Sequence, residues 1–427
     1  LGKGKSGEAA EALLKAQGAE VVVLADDERD RIEGEGFDFA VVSPGIALTH
    51  PWVVEAKRRG ISLKSELQLG CEELKRQGWK LLAVTGSKGK SSVVKVVADA
   101  INLAGMHAVA CGNYGLPVSE VAISSSSITN HEPPTTNHES RTPNWAVVEV
   151  SSFMMETTEL PADAFEAAAI LNLQEDHLDR HGSVETYHAL KRKLLSMAVE
   201  KFDMSDFDRH RFMESVCQDG PDEEYCSSYF DNEILARNAL AAWYLMVSVK
   251  PELDAKVRTR AFREFVPLPH RMNRVATIDG IEYIDDSKAT SLAALEAGVK
   301  MSWPGPSGLR KLVAKFGFPW RRRVLLIAGG LPKGDDPKTA LATLTERVKK
   351  VYLIGQCAEE FRVAWENGVD CEVCGTMDRA VERAVREAEK GETVLLSPGT
   401  ASFDQFKSYG ERGEVFARLV KKEGQPK

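Results

Sequence analysis

Leu81-Leu-Ala-Val-Thr85-Gly-Ser-Lys-Gly-Lys90-Ser-Ser92 runs an apolar strand into a glycine-bracketed turn that ends in Lys-Ser ahead of a helix. That order builds a phosphate cradle. Gly86 and Gly89 let the backbone fold its N–H groups around phosphate oxygens, Lys90 adds a positive point charge, and the Ser91 hydroxyl reaches a magnesium ion. Ser87, Lys88 and Ser92 complete the expected nucleotide-phosphate-binding turn. The strict P-loop has a glycine where Val84 stands, so an ordinary strand-to-helix turn is the competing reading of this segment alone.

Working outward, a chain of 427 residues exceeds what one hydrophobic core usually supports, which predicts two or three domains. With 43% hydrophobic and 28% charged residues the composition is that of a globular protein. A net charge of -8, with no basic run interleaved with aromatics, argues against nucleic acid and for small-molecule partners. There is no apolar stretch of bilayer length and no signal-peptide block at the first residues, so a cytoplasmic protein without membrane partners is expected; a monomer is expected as well. Seven scattered cysteines make no disulfide framework, and the lone Cys371/Cys374 pair has neither a second pair nor a nearby histidine to complete a zinc site. Buried or idle thiols are expected there.

The segment Leu1-Gly-Lys-Gly-Lys-Ser-Gly7 opens a helix, and Glu20 to Ala25 reads as a strand ending in Asp26-Asp27, in the manner of a dinucleotide-type unit. The strand that should precede this turn is missing, which predicts a chain cut short at its start. Phe39 to Val42 and Ile61 to Leu63 read as strands of a small α/β domain reaching about Gln77. A second unit starts at Lys80. Ser124 to Pro143 is expected to be an exposed loop, Trp145 to Val150 and Ala167 to Leu173 buried strands, and Asp231 to Val249 a long helix. Glu200 to Asp231 is acidic and aperiodic. Pro267 to Pro269 marks a linker, after which strands at Arg323–Ala328, Val351–Ile354 and Thr393–Leu396 alternate with helices.

Glu149 ends one predicted strand, and Asp176-His177-Leu178-Asp179-Arg180 follows the next. In a parallel sheet both would emerge on the edge that carries the phosphate turn, where a carboxylate, an imidazole and the Ser91 hydroxyl converge on magnesium. Histidine is an unusual magnesium ligand, so a His that caps its turn is the alternative.

Taken in order, Thr85 to Ser91, Gly112-Asn-Tyr-Gly-Leu-Pro117, Glu149-Val-Ser-Ser-Phe153, Asp176 to Arg180, Tyr187-His-Ala-Leu-Lys191, Asn238-Ala-Leu-Ala-Ala242, Pro269-His-Arg271, Asp286-Ser-Lys-Ala-Thr290 and Ser397-Pro-Gly-Thr-Ala-Ser-Phe-Asp-Gln-Phe406 resemble the Mur ligase family. The last block, continued through Tyr409, Arg412-Gly413 and Phe416, points to its D-glutamate-adding branch. The resemblance implies an α/β protein of three domains. Residues 1–78 would form a Rossmann-like UDP-substrate domain lacking its first strand, 79–267 a P-loop ATPase-like domain with a parallel sheet, and 268–427 a Rossmann-like C-terminal domain. It implies ATP-dependent ligation of D-glutamate to UDP-N-acetylmuramoyl-L-alanine through an acyl phosphate, with domain closure that keeps water away.

The same resemblance implies the roles of single residues. Lys90 and two magnesium ions would neutralise the transferring phosphate, with Ser91, Glu149 and His177 as metal ligands. Lys191 would carry a carbamate made with carbon dioxide and act as a further ligand; a solvated face formed by Lys191, Arg192 and Lys193 is the alternative, and Lys193 is the substitute if the register slips. Asn113 and Ser151 would touch the muramoyl side, Asn238 the adenine, and Arg271 and Asp286 the ATP ribose and phosphates. Lys288, the fourth catalytic candidate beside Lys90, His177 and Lys191, would join Thr290, Lys333, Ser402 and Tyr409 around D-glutamate and the acyl phosphate. Lys5, Ser6, Asp26 and Asp27 would face the uridine diphosphate.

Some positions depart from the family pattern. Met154 stands where a glutamine would contact substrate, Ile234-Leu235 replace a His-Asn pair, and Ser291 replaces an asparagine. The stretch from Ala198 to Asp231 is short and without the family's strands, and Met301 to Arg322 reads as inserted. Besides the ligase, two readings stay open: a Mur-ligase-like binding protein with impaired catalysis, and a sibling ligase or P-loop phosphotransferase with another substrate.

Overall fold

The computed structural model describes residues 1–25, 36–129, 143–174, 177–205, 235–249, 253–302 and 323–423. The chain divides into two compact units, Leu1–Phe265 and Val266–Lys427. The first opens with the Lys5–Ala16 helix and a parallel pair, β1 (Phe39–Val42) and β2 (Ser62–Ser65), from which Ser65 caps the Glu66–Arg76 helix by accepting from the Gln68 N–H. A parallel sheet of five strands follows: β3 (Lys80–Thr85), β4 (Ala108–Gly112), β5 (Trp145–Glu149), β6 (Phe165–Ile170) and β7 (Ala198–Asp203), in the order β4-β5-β3-β6-β7. The three central strands are almost continuously apolar because helices cover both faces of such a sheet. Val84 pairs with Glu149 and Thr85 with Ile170, so β3, β5 and β6 finish together at one carboxyl edge. In an open parallel sheet that edge is where ligands bind.

The sequence expectations need correcting in this unit at three places. Glu20 to Ala25 forms no strand: Leu24 accepts one bond from Gly2 N, but Val22 and Val23 stay exposed, with no strand pairing to them among the described residues. Ser124 to Thr129 continues the Val118–Thr129 helix, where Ser124 and Ser125 donate their hydroxyls to the Glu120 and Val121 carbonyls one turn back; this lets serine persist in a helix it would otherwise end. Ala198–Asp203 is the edge strand β7, so that stretch does not lack strands altogether. The rest of the serine-rich loop (130–142), the acidic stretch at 206–231 and most of the expected insertion (303–322) lie outside the described residues.

The second unit is a six-stranded sheet: β8 (Asn273–Ile278), β9 (Ile281–Asp285), β10 (Val324–Gly329), β11 (Val348–Ile354), β12 (Asp370–Gly375) and β13 (Thr393–Leu396), in the order β12-β11-β10-β13-β9-β8. Only β8 runs antiparallel to its neighbour, through an Asp279-Gly280 hairpin whose two residues both have positive φ, 52° and 77°. Separate apolar cores fill the two faces. Cys374 packs into one and Cys371 against the other, since a spacing of three along β12 sends side chains to opposite faces. Burial pushes both thiols up, Cys371 to about 12 and Cys374 to about 11, which keeps them protonated at neutral pH. No helix among the described residues is long and apolar enough to cross a membrane.

Candidate nucleotide and metal site

The turn after β3 is shaped by glycine. Gly89 caps the Lys90–Leu103 helix at φ 88°, and a side chain there would also overlap the amide of Asn238, which is buried on the Ala236–Val247 helix. Asn238 is thus brought against the turn from 149 positions away in the sequence. Lys90 Nζ donates to the Gly86 and Ser87 carbonyls at 2.8 and 3.3 Å, and Ser91 is buried in the first helical turn. Two supports were missed in the sequence. Asn172, just past β6, clamps Lys88 by accepting from its N–H and donating to its carbonyl, both at 2.9 Å, and the Tyr187 hydroxyl lies 3.0 Å from Ser87 Oγ. A lone asparagine after a strand gives no such signal. Tyr187 was quoted only for its spacing to Lys191.

Around this turn stand the candidate metal ligands. Glu149, at the end of β5, is buried; its Oε1 accepts from the Asn113 amide at 2.8 Å, and Oε2 has no hydrogen-bond partner among the described residues. A buried carboxylate oxygen without a donor is costly unless a cation meets it. The Glu149 carboxylate and the Ser91 hydroxyl are hard-oxygen donors of the kind that magnesium takes. Lys191 is buried, donates to the Gly86 carbonyl at 3.0 Å, and lies 4.6 Å from the Tyr187 ring centroid. The solvated-face alternative does not describe it. Lys193 instead reaches Glu159 at the surface, 2.6 Å away, and Arg192 is half exposed opposite Asp203. His177 adopts left-handed φ and ψ of 54° and 36° at the start of the Leu178–His181 turn, exposed, with its ring 4.8 Å from Phe153. Among the described residues no three His, Cys, Asp or Glu side chains gather into a metal cage.

The remaining candidates of this unit are scattered in kind. Ser151 spends its hydroxyl on the Met154 N–H as a helix cap, and Met154 itself is buried in the core, which accounts for an apolar residue where an amide was looked for. Lys5 is exposed and Ser6 half-buried in the first turn of its helix; Asp26, Asp27, Asp176 and Ile234 lie outside the described residues. Leu235 is buried.

In the second unit Asp286 is buried against Ser397 Oγ, which donates to it at 2.9 Å, and the Met272 N–H donates to its other oxygen. Arg271 Nε is buried and has no hydrogen-bond partner among the described residues, and Lys288 sits 5.4 Å from the Tyr409 ring centroid. Thr290 is half-buried, Lys333 and Tyr409 exposed, Ser402 buried. Arg412, quoted in the sequence only as part of a motif, is wholly buried and ties the Ser287, Thr400 and Ala401 carbonyls together; burial lowers its guanidinium to about 10. His270 Nδ1 and Asp285 Oδ2 pair at 2.6 Å over Gly413. A methyl at Gly413 would overlap Nδ1 of His270 and stand 2.5 Å from Asp285 Oδ2. Gly413→Ala is expected to cost about 2 kcal/mol in urea unfolding, because disturbing the pair outweighs the ~1 kcal/mol helix gain of alanine. An unchanged midpoint would mean that the pair contributes nothing.

Residues 84–215 match the Mur ligase middle domain, and residues 270–399 the Mur ligase glutamate ligase domain. The chain is 34% identical over 428 residues to the UDP-N-acetylmuramoylalanine--D-glutamate ligase of Thiobacillus denitrificans, covering 90% of this chain and 83% of that protein. It is 30% identical over 478 residues to the enzyme of that name from Acidobacterium capsulatum, with 98% and 95% covered. Among solved structures, the MurF ligase of Thermotoga maritima in complex with ADP gives a TM-score of 0.54 at 16% identity, over 92% of this chain and 96% of that one. The UDP-N-acetylmuramate-alanine ligase MurC of the same organism gives 0.54 at 14%, over 97% and 90%. Those two likenesses concern the fold, and they agree with the parallel sheets found here. Sequence identity at this level, sustained from one end of the chain to the other, makes the protein a member of the Mur ligase family.

Proposed function

We propose that this chain joins D-glutamate to UDP-N-acetylmuramoyl-L-alanine with ATP, a step of peptidoglycan precursor synthesis carried out by a monomer in the cytoplasm. The relatives named for this reaction support the substrates. The observation that carries the chemistry is the meeting of Lys90 and Lys191 on one carbonyl, Gly86 O, at 2.8 and 3.0 Å. Lys90 brings a cation for the transferring phosphoryl group to that turn, and a carbamate on Lys191 would bring a metal ligand to the same place.

A carboxylate and an amine do not condense in water unaided, so the L-alanine carboxylate first takes the γ-phosphoryl group. The amine of D-glutamate then attacks the acyl carbon, and the tetrahedral adduct expels phosphate. Both steps bring anions together, and charge neutralisation is the main demand. Lys90 and the N–H groups of Gly86 to Ser92 would hold the phosphates and Asn238 the adenine. Two magnesium ions, held by Ser91, Glu149, His177 and a carbamate on Lys191, would supply Lewis-acid charge at the reacting oxygens. Asn113, already bonded to Glu149, and Ser151 would orient the muramoyl end, and Lys5, Ser6, Asp26 and Asp27 the uridine diphosphate. From the C-terminal segment, Arg271 and Asp286 are assigned to ATP, and Lys288, Thr290, Lys333, Ser402 and Tyr409 to D-glutamate. Residues 1–78, 79–267 and 268–427 would then serve the UDP-substrate, ATP and amino acid respectively.

The test is phosphate release from ATP with UDP-N-acetylmuramoyl-L-alanine, with and without D-glutamate and across other amino acids. Release that depends on D-glutamate is expected. Release indifferent to the amino acid, or none at all, would overturn the reading.

A further inference from the structure

Arg180 makes a contact that the ligase reading does not use. Its side chain is only 15% exposed, and Nε and Nη2 donate to the two oxygens of Glu156 at 3.0 and 2.6 Å. Nη2 also donates to the Ile46 carbonyl at 2.6 Å and stands 3.4 Å from that of Pro44. The guanidinium lies 5.2 Å from the Phe153 ring centroid, and Glu156 is also 3.4 Å from the buried His181, whose Nε2 lies 3.0 Å from Ser152 Oγ. One side chain therefore fastens the short helix that follows His177 to the short helix that follows Glu149, and both to the Ser43–Ile46 turn.

That turn in its own right is the seat of the glycine-rich segment at the start of the chain. Ser43 N donates to the Leu1 carbonyl at 3.0 Å and Ser43 Oγ to that of Gly2 at 3.3 Å, while a Cβ on Gly2 would be 3.0 Å from Ile46. A series of hydrogen bonds thus runs from Leu1 and Gly2 through Ser43, Ile46 and Arg180 to Glu156, with Arg180 three residues after His177 and Glu156 seven after Glu149, all inside the first unit.

We propose that Arg180 is a positioning residue: it fixes the span between the place that takes the nucleotide end of a long substrate and the place that takes its reacting carboxylate. The inference rests on the ligase reading above. Binding energy gained at a remote substituent helps catalysis only if that site is held rigidly to the reacting centre, and a small displacement is enough to lose the advantage. Lysine cannot reproduce the arrangement, since one ammonium lacks the planar fork that engages Glu156 while reaching Ile46.

The experiment compares kcat/KM for UDP-N-acetylmuramoyl-L-alanine and for N-acetylmuramoyl-L-alanine lacking the nucleotide, in wild type, Arg180→Lys and Glu156→Gln, with melting followed in parallel. The expected result is a loss of roughly 10- to 100-fold on the full substrate, little change on the truncated one, and a KM for ATP within about twofold of wild type. Glu156→Gln loosens the same clamp from its other side and provides the reading should Arg180→Lys fold poorly. Equal losses on both substrates, as a general structural role would give, or no loss on either, overturn the inference and leave the ligase reading standing. A wild type inactive on both substrates removes the ligase reading itself, and the inference with it.

Discussion

Lys191→Ala is expected to lower kcat by about 10³-fold or more while the protein still folds, because the residue is proposed to put negative charge next to a divalent cation. An ammonium there would repel the metal; a carbamate reverses the sign and offers two oxygens. Folding should survive, since the Gly86 carbonyl that Lys191 bonds keeps its second donor, Lys90, and the Tyr187 ring keeps its neighbours. A melting shift of the size given by ~1–2 kcal/mol is the upper end expected. Lys191→Arg separates the two accounts of the residue. Arginine preserves the cation at the Gly86 carbonyl but does not form a carbamate under these conditions, so it should be as inactive as alanine. Phosphate-release assays on both variants decide the matter: near-wild-type turnover by the arginine form would assign Lys191 a cationic role, and full activity of the alanine form would remove it from the site.

What could be read in the sequence follows from how local each signal is. The phosphate turn is legible because its glycines and its Lys-Ser ending are contiguous, and β3, β5 and β6 because strands buried on both faces are unbroken apolar runs. The Asp279-Gly280 hairpin carries an equally local signal, an Asp-Gly pair between Ile278 and Ile281. Strand β7 has no such run, for most of Ala198–Asp203 faces solvent at a sheet edge. Ser124 and Ser125 misled because composition suggested a loop, whereas back-bonding to the preceding turn satisfied their hydroxyls inside a helix. Long-range supports leave no trace at all: Asn172 reaches Lys88 across 84 residues and Arg180 reaches Ile46 across 134. Lys191 shows both limits, since its spacing from Tyr187 suggested a role while only the fold shows that it is buried at the phosphate turn rather than solvated beside Arg192.

Asp286 should trade stability for function in a pH-dependent way. Burial is the main reason its carboxyl is raised from the ordinary 3.8 to about 7; the Ser397 and Met272 donors and the Arg271 charge oppose the rise, and Asp285 adds to it. The folded protein therefore holds a proton at Asp286 that the unfolded chain has already released. Its contribution is fully present below about pH 4, declines as pH rises, and is lost on passing through about pH 7. At pH 8 the ionised form would cost about 4 kcal/mol relative to the protonated one, at 1.36 kcal/mol per pKa unit. Asp286→Asn cannot ionise, keeps an acceptor for the Met272 N–H, and leaves Ser397 free to turn its hydroxyl about. Urea unfolding at pH 5 and pH 8 should show the variant gaining on wild type by about 2–4 kcal/mol between the two conditions. Parallel profiles would show that Asp286 does not titrate in that range. If the side chain also acts on ATP as a charge, the more stable variant should lose roughly 10²-fold in kcat/KM for ATP at pH 8, where wild type is ionised, and lose much less near pH 6, where wild type is largely protonated as well. A deficit of the same size at both pH values would separate the catalytic contribution from the charge, and leave Asp286 a shape that asparagine fails to match.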